Sequence, residues 1–452
     1  MQPIRASELC KGLGRLENDP VVTGVVTDSR AVQAGSLFVC IRGARVDGHS
    51  FAAGALAAGA VGVVAEHPVA GVPAGRCILV PDALDAMIAL GGNYRAKFSP
   101  VLLGVTGSVG KTTTKEFCYA VFSAFGSTLK TEGNQNNEIG VPNTLFRLEE
   151  GVAYAVVEMG MQGLGEIRKL TLAARPAGAI ISTIGQSHLE QLGTRENILK
   201  AKMEICEGMA SGAPLVLNGD NDLLPGAAVP AGLRRVLFGI KNAAADVRAG
   251  ELRPADGGTR FTIFDKEYGS LPALIPALGE HNVMDALSAY ALATRLGLDP
   301  ARAAAALAGY KTTGHRENLV TCRGVQVLED CYNASPDSMK AGLATLAALD
   351  VPGRRIAVLG DMFELGSATE SGHAAVGDAC ADAGVDLVLT VGEAARFLHA
   401  RARTRGLAAV HCTDKAEAAA LLRREARAGD AVLVKASHGM AFETILADFY
   451  AD

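Results

Sequence analysis

Residues 101–114 read Val-Leu-Leu-Gly-Val-Thr-Gly-Ser-Val-Gly-Lys-Thr-Thr-Thr. The opening run is apolar apart from one glycine and reads as a buried strand over 101–105, while a helix is expected to begin near Lys111. Between them, small residues let backbone N–H groups turn into one concavity. The helix that follows adds the positive end of its dipole. A strand, a glycine loop and a helix opening on Gly-Lys-Thr form a polyphosphate site of the P-loop kind. Its nucleotide-binding residues are Gly107, Ser108, Val109, Gly110, Lys111, Thr112 and Thr113. Lys111 is expected to neutralise the β- and γ-phosphates, and the Thr112 hydroxyl to ligate Mg²⁺. One position departs from the common pattern. Val105 stands where a glycine usually precedes the Gly-Lys pair, and the glycine is at 107 instead. The bland alternative is an ordinary strand–turn–helix connection.

Outward from the loop, apolar runs at 153–157, 179–184 and 214–217 alternate with helical patterns at 196–209 and 282–296. Alternating strands and helices imply a mainly parallel sheet with helices on its faces. Glu158 ends one of these strands, as an acidic metal ligand would, or as a strand-end carboxylate meeting solvent. Residues 246–274 mix polar and apolar residues in short runs around Asp256-Gly257-Gly258, so antiparallel strands are expected there. Before the loop, strands at 21–28 and 36–41, an Ala/Gly helix and an apolar run at 77–80 make a small α/β unit, closed by Phe98-Ser99-Pro100. After Gly314, strand-like runs at 325–330, 355–360, 386–391 and 430–435 recur about every 30–40 residues, with helical segments at 338–349 and 369–383, as βαβ units require. Asp361 falls at a carboxyl edge of that third sheet, where α/β sites usually lie. The expected fold is α/β in three domains. Residues 1–98 form a small N-terminal α/β domain, 99–313 a central P-loop mononucleotide-binding domain with a parallel sheet, and 314–452 a C-terminal Rossmann-like α/β domain.

Composition narrows the function. Of 452 residues, 49% are apolar and 20% charged, which is ordinary for a globular chain and unlike a disordered one. The 43 basic and 48 acidic residues leave a net charge of −5, which argues against a dedicated nucleic-acid or anionic-membrane binder. The start, MQPIRASELCKGLG, has early charges and no apolar run, so no secretory leader is expected. The uncharged stretch 51–65 is shorter than the roughly 18–20 residues of a membrane span. Nine scattered cysteines without a Cys-x-x-Cys pair suit reduced thiols, hence a cytoplasmic protein. No Asn-Lys-x-Asp is present to read guanine, which sets aside a signalling GTPase.

Longer motifs carry a resemblance. Thr106-Gly-Ser-Val-Gly-Lys-Thr-Thr, Thr131-Glu-Gly-Asn-Gln-Asn-Asn-Glu-Ile-Gly-Val-Pro142, Glu158-Met-Gly-Met, Gly185-Gln-Ser-His188, Ala201-Lys-Met-Glu204 and Gly279-Glu-His-Asn282 resemble the central motifs of the Mur ligase family of cell-wall enzymes. Asp28-Ser-Arg30, Leu37-Phe38 and Asp47-Gly-His49 resemble its uridine-nucleotide domain. Asp330-Cys-Tyr-Asn-Ala-Ser-Pro336 and Gly360-Asp-Met-Phe-Glu-Leu-Gly366 resemble the branch that adds the last amino-acid unit. There is no Asp-Asn-Pro-Arg, the mark of the diaminopimelate-adding branch. Two places depart from the family: Glu329-Asp330-Cys331 stands for paired aspartates, and Lys435-Ala-Ser-His438 for Lys-Gly-Ser-Arg.

The resemblance implies an ATP-dependent amide ligase that joins D-alanyl-D-alanine to UDP-N-acetylmuramoyl-tripeptide through an acyl phosphate. A monomer is expected, and composition and hydropathy lead us to expect no nucleic-acid partner and no membrane span. Lys111, Glu158, His188 and Lys202 are the implied catalytic residues. Two Mg²⁺ sites are implied: one on Thr112 and Glu158, the other on His188 and a carbamylated Lys202. Read without the resemblance, His188 is a loop or core histidine and Lys202 a helix lysine with its head in solvent. Asn282 reads as an adenine contact or a helix N-cap. Arg316 follows a Thr-Thr-Gly hinge and is expected to swing onto the phosphates, or else to be a solvated linker residue. Asp330 is assigned to the ribose or to Arg316. Ser29 and Arg30 are assigned to the uridine nucleotide. Asn136 and Asn137 are assigned to substrate, with turn formation as the alternative. Two rival functions remain: a family member that adds the third amino acid, and a P-loop ATPase that forms no bond.

Overall fold

The computed structural model describes residues 1–43, 45–255, 257–314 and 316–451. Three parallel or largely parallel sheets follow one another along the chain. The first has four parallel strands in chain order, Gly24–Val26, Ser36–Val39, Gly62–Ala65 and Cys77–Leu79. The strand expected at 21–28 is divided. Val21–Val22 pairs antiparallel with Ile4–Arg5, and the chain changes partner at Thr23, whose N–H donates to the Gly35 carbonyl. The uncharged stretch resolves into the helix Ala52–Ala57 and the buried strand Gly62–Ala65.

The helix Ala83–Arg95 starts on Asp82, whose carboxylate accepts from the Asp85 N–H at 2.8 Å. It packs on the central unit: a Cβ at Gly91 would lie 2.9 Å from Pro142 Cβ, and the buried Tyr94 hydroxyl donates to the Leu148 carbonyl at 2.9 Å. One hydrophobic core therefore runs from Leu37 and Met87 through Leu102 to Ile181.

The central sheet has nine strands, in the order Gly269–Ile275, Gly258–Asp265, Val247–Ala255, Arg234–Gly239, Pro214–Asn218, Gly178–Ile181, Val101–Thr106, Tyr154–Glu158, Thr128–Lys130. The first three are mutually antiparallel, as the mixed composition of 246–274 implies, and the others run parallel. Of the expected turn Asp256-Gly257-Gly258, Asp256 lies outside the described residues. The strand Val101–Thr106 lies between Gly178–Ile181 and Tyr154–Glu158, parallel to both. Their carboxyl ends, Glu158 and the loop leading to His188, thus emerge at the same edge as the P-loop. The helices Lys111–Ser123 and Glu280–Arg295 cover one face over a second core.

The expected helix 196–209 is shorter. It is α-helical over Arg195–Met203 and tightens to a 3₁₀ turn over Glu204–Gly208. The turn begins where the Glu204 carboxylate is held by the Gly165 and Arg168 N–H groups, at 2.7 and 3.1 Å, at the start of a neighbouring helix. Lys202 accordingly sits in the last turn of the helix rather than its middle.

Arg295 ends its helix in a buried, two-point contact with Asp265, both N–H···O distances being 2.8 Å and the side chains 1% and 0% exposed. Arg295→Met would strand the Asp265 carboxylate in the core. Its expected cost is about 3–5 kcal/mol of unfolding free energy, read by urea denaturation; a change under about 1 kcal/mol would mean the pair contributes nothing.

The third sheet has six strands in the order Asn318–Cys322, Val325–Glu329, Ala431–Lys435, Arg355–Gly360, Leu387–Val391, Ala408–Cys412. The first pairs antiparallel and the rest are parallel, with a core on each face. Asp361 does stand at the carboxyl edge, but its carboxylate accepts from the Ala395 N–H at 2.7 Å and so secures the start of a helix. No helix among the described residues is long and apolar enough to cross a membrane.

Candidate active site

A cleft of about 710 Å³ lies between the carboxyl edges of the second and third sheets. The P-loop forms its floor. At Gly107 φ is +153°, and a Cβ there would meet Ser182 Oγ at 1.9 Å. At Gly110 φ is +85°, and a Cβ would lie 2.6 Å from Asp285 Oδ1. Both positions need glycine. Val105 is fully buried inside the strand, so the bend starts two residues later than in the common pattern.

Lys111 Nζ donates to the carbonyls of Gly107 at 2.9 Å and Ser108 at 3.4 Å. Burial lowers its pKa; Glu158 opposes that shift and Arg316 adds to it. Thr112 Oγ1 donates to Glu158 Oε2 at 3.1 Å, and Asn136 Nδ2 to Glu158 Oε1 at 2.8 Å. Lys115, one turn along the helix, has its Nζ 3.6 Å from Glu158 Oε2 and donates to the Gly133 carbonyl at 3.2 Å. Thr112 and Glu158 are therefore adjacent hard oxygen donors beside the phosphate loop, the chemistry that suits Mg²⁺.

His188 has a left-handed backbone, φ +65°, and faces the third unit. Its Nδ1 is 2.7 Å from Glu364 Oε2, but off the line a hydrogen bond needs, so this buried nitrogen has no hydrogen-bond partner. Burial, with Lys111 and Lys202 nearby, pushes the imidazole down to about 4. It is neutral at pH 7 and keeps a lone pair, as a metal ligand requires. Lys202 is 1% exposed and makes no ion pair among the described residues. Desolvation, reinforced by the Lys111 charge, holds its pKa well below the ordinary lysine value. Lys202 lies behind the cleft wall rather than lining it.

The opposite end of the cleft is built on the helix start at Glu280. Gly279, with φ +90°, precedes it, so Asn282 is not the N-cap. Its Nδ2 instead donates to the Leu278 carbonyl at 2.7 Å and to Glu317 Oε2 at 2.6 Å. Glu317 is also 2.6 Å from His281 Nε2. One turn on, Asp285 accepts from Thr114 Oγ1 at 3.0 Å, and burial pushes its carboxyl up to about 8. Arg316 lies 3.7 Å over the Tyr332 ring at the cleft edge. Asp330, expected on the ribose or Arg316, is buried in an ion pair with Lys435, whose Nζ also donates to the Asn333 carbonyl at 3.1 Å.

The structure brings together in the cleft wall Ser108 to Thr113, Asn136, Asn137, Glu158, His188, Asn282, Arg316 and Asp330. Asn137 does form a turn: its Oδ1 accepts from the N–H groups of Ile139 and Gly140, at 3.3 and 2.9 Å. Ser29 and Arg30 do not reach this cleft. They start a 3₁₀ turn in the first unit, where Arg30 pairs with Asp28 at 2.7 Å. Also in that unit, Asp47, His49 and His67 bring donor atoms within 4.8 Å of one another. His49 Nδ1 is 2.6 Å from Asp47 and its Nε2 accepts the Glu66 N–H at 3.0 Å, which leaves no lone pair for an ion.

Sequence reasoning missed Lys115, Asp285, Glu317, Glu364 and Lys435. Lys115 and Asp285 carried a signal, since each lies one helical turn from a residue already singled out. Glu364 and Lys435 stood inside quoted motifs without being given a role, and Glu317 is joined to the site only by the approach of the third sheet.

Comparison with known proteins gives three matches to family models along the chain: the Mur ligase family catalytic domain over residues 21–83, the Mur ligase middle domain over 105–293, and the Mur ligase glutamate ligase domain over 315–438. A UDP-N-acetylmuramoyl-tripeptide–D-alanyl-D-alanine ligase from Bacillus subtilis is 38% identical over 95% of this chain and 93% of its own length. A crystal structure of MurF from Acinetobacter baumannii superposes with a TM-score of 0.90 at 29% identity, covering 100% of this chain and 99% of that one. MurF ligase from Thermotoga maritima, solved in complex with ADP, gives 0.85 at 29% identity over 98% of each chain.

Proposed function

The chain belongs to the Mur ligase family, and on that premise we infer that it joins D-alanyl-D-alanine to UDP-N-acetylmuramoyl-tripeptide, using ATP, in the synthesis of peptidoglycan precursors. The observation that carries this is the end-to-end match to ligases of that name, with the phosphate loop, Glu158 and His188 at one sheet edge. The same match disfavours both the third-residue ligase and an ATPase without bond formation.

A carboxylate and an amine do not condense unaided in water. The tripeptide carboxylate attacks the γ-phosphorus of ATP, giving an acyl phosphate and ADP. The amine of D-alanyl-D-alanine then adds to the acyl carbon, and the tetrahedral intermediate expels phosphate and loses a proton. The protein's task is to hold two anions together and to neutralise the charge that builds up. Lys111 and the N–H groups after Gly107 face the phosphates. Arg316, on the third unit, lies at the cleft edge within electrostatic reach of Lys111. Mg²⁺, when bound, supplies further charge neutralisation between the phosphates and the carboxylate. Thr112 and Glu158 would hold one ion; His188 and a carbamate on Lys202 would hold the other. Support for the second set is the buried His188 Nδ1, which makes no hydrogen bond although the Glu364 carboxylate lies 2.7 Å away, and the desolvated, pKa-depressed Lys202 amine.

We assign residues 1–98 to the uridine nucleotide through Ser29 and Arg30, 99–313 to ATP, and 314–452 to closure over the cleft. We also propose a cytoplasmic monomer, consistent with nine free thiols and with ATP and a UDP-linked substrate.

The test is ADP release by purified protein given UDP-N-acetylmuramoyl-tripeptide with D-alanyl-D-alanine, or the UDP-linked dipeptide with single amino acids. ADP that forms only with D-alanyl-D-alanine, matched by a ligated product, is expected. ADP release without any amine would point to the ATPase; ligation of a single amino acid onto the UDP-linked dipeptide would point to the third-residue ligase.

A further inference from the structure

Asn282 lines the cleft and is 3% exposed. Asp285, which crowds Gly110 of the phosphate loop, lies on the same helix one turn later, about 5 Å along its axis. On the reading of the cleft as the ATP site, the base is assigned to Asn282, which lines the same cleft as the phosphate loop.

The Asn282 amide has only one allowed orientation. Three groups face one end of it: the Leu278 carbonyl at 2.7 Å, Glu317 Oε2 at 2.6 Å, and His281 Nε2 at 3.1 Å, whose own close partner is Glu317 Oε2 at 2.6 Å. A carbonyl and an ionised carboxylate only accept, so that end must be the NH₂. Turning the amide over would set Oδ1 against two acceptor oxygens with no proton between them. Glu317 is itself fixed by His281 Nε2 at 2.6 Å; burial pushes its carboxyl up, but His281, Lys435 and the Asn282 amide together keep it below its ordinary value. With both NH₂ protons used, Asn282 has only an acceptor, Oδ1, left for a ligand, and no hydrogen bond reaches that oxygen among the described residues.

We propose that Glu317 is the positioning residue for nucleobase selection. By locking the Asn282 amide it leaves Oδ1 to accept from the 6-amino group of adenine and to repel the 6-oxo group of hypoxanthine or guanine. This inference rests on the reading of the cleft as the ATP site. It adds that the choice of purine is made by a residue of the third unit acting through one of the second. Base selection is then complete only when the two sheets are apposed.

The experiment compares kcat/KM for ATP, inosine triphosphate and purine riboside triphosphate, which carries hydrogen at position 6, in the complete ligation reaction. For the native enzyme the expected order is ATP, then purine riboside, then inosine triphosphate. ATP should exceed inosine triphosphate by at least about 100-fold, as expected for a site whose buried polar group is left facing the wrong atom. Glu317→Gln can donate as well as accept, and so frees the amide to turn. It should compress the ATP-to-inosine ratio by about tenfold or more, mainly through nucleotide KM rather than kcat. Asn282→Ala should remove most of the discrimination.

An unchanged ratio in a folded Glu317→Gln protein overturns the proposal. So does native enzyme that uses inosine triphosphate as well as purine riboside triphosphate, because a freely turning amide would accept both; this second measurement stands even if the variant does not fold. Ligation with ATP tests the ligase reading separately: product with a wrong nucleotide order sinks only this inference, and absence of product sinks the ligase reading.

Discussion

Lys111→Ala is expected to abolish ligation and to leave binding of the UDP-linked substrate near normal. The lysine is the cation of the phosphate loop, and its loss removes several kcal/mol of transition-state stabilisation, about a thousandfold or more in turnover. The first substrate is spared because residues 1–98 contribute nothing to the wall of the nucleotide cleft. Steady-state ADP release reads the first effect and calorimetric titration with UDP-N-acetylmuramoyl-tripeptide the second. Near-native turnover in the variant would mean that the loop does not hold the reacting phosphates.

Lys202→Ala is expected to be the other crippling substitution, by about a hundredfold or more, the scale seen when support for a metal ligand is lost. A lysine 1% exposed, with Lys111 repelling its charge and no ion pair to a carboxylate among the described residues, is held toward the neutral amine. A neutral amine attacks CO₂ and releases a proton, giving a carbamate that carries the negative charge and oxygen donors Mg²⁺ prefers. Two further outcomes separate this from a purely structural lysine. Formate or acetate should restore part of the activity of Lys202→Ala by filling the vacated space. Rigorous removal of CO₂ should slow the native enzyme. An unmodified ammonium at Lys202 in a high-resolution structure with Mg²⁺ and nucleotide bound would end the carbamate reading.

What could be read in the letters was whatever depends on neighbours in sequence. The strand, loop and helix around Lys111 are local, and Glu158 follows from a strand that must lie parallel to the P-loop strand. The antiparallel extension at 247–275 shows in its short mixed runs. The limits appear where a distant segment decides the outcome. Asp330 looked free to meet a ligand until Lys435, 105 residues on, closed an ion pair on it. Asn282 looked like a cap, but Gly279 begins the helix and Glu317, 35 residues on, takes the amide. Ser29 and Arg30 are assigned to the uridine nucleotide in the first unit, and their turn does stand there, outside the wall of the ATP cleft. The burial of Lys202 is likewise a property of packing, since its helix has charged residues before and after it.

Lys111 already holds two carbonyl oxygens of its own loop, those of Gly107 and Ser108. Phosphate binding is therefore an exchange reaction, in which the ammonium gives up amide oxygens for phosphoryl oxygens. The affinity measured for a nucleotide is a difference between two sets of hydrogen bonds, not the strength of one. Only a ligand rich enough in charge and rigid enough in placement wins such an exchange by a wide margin. A polyphosphate chain spanning the loop qualifies and a single small anion does not. In this structure the loop's own backbone competes with any incoming anion for the Lys111 cation.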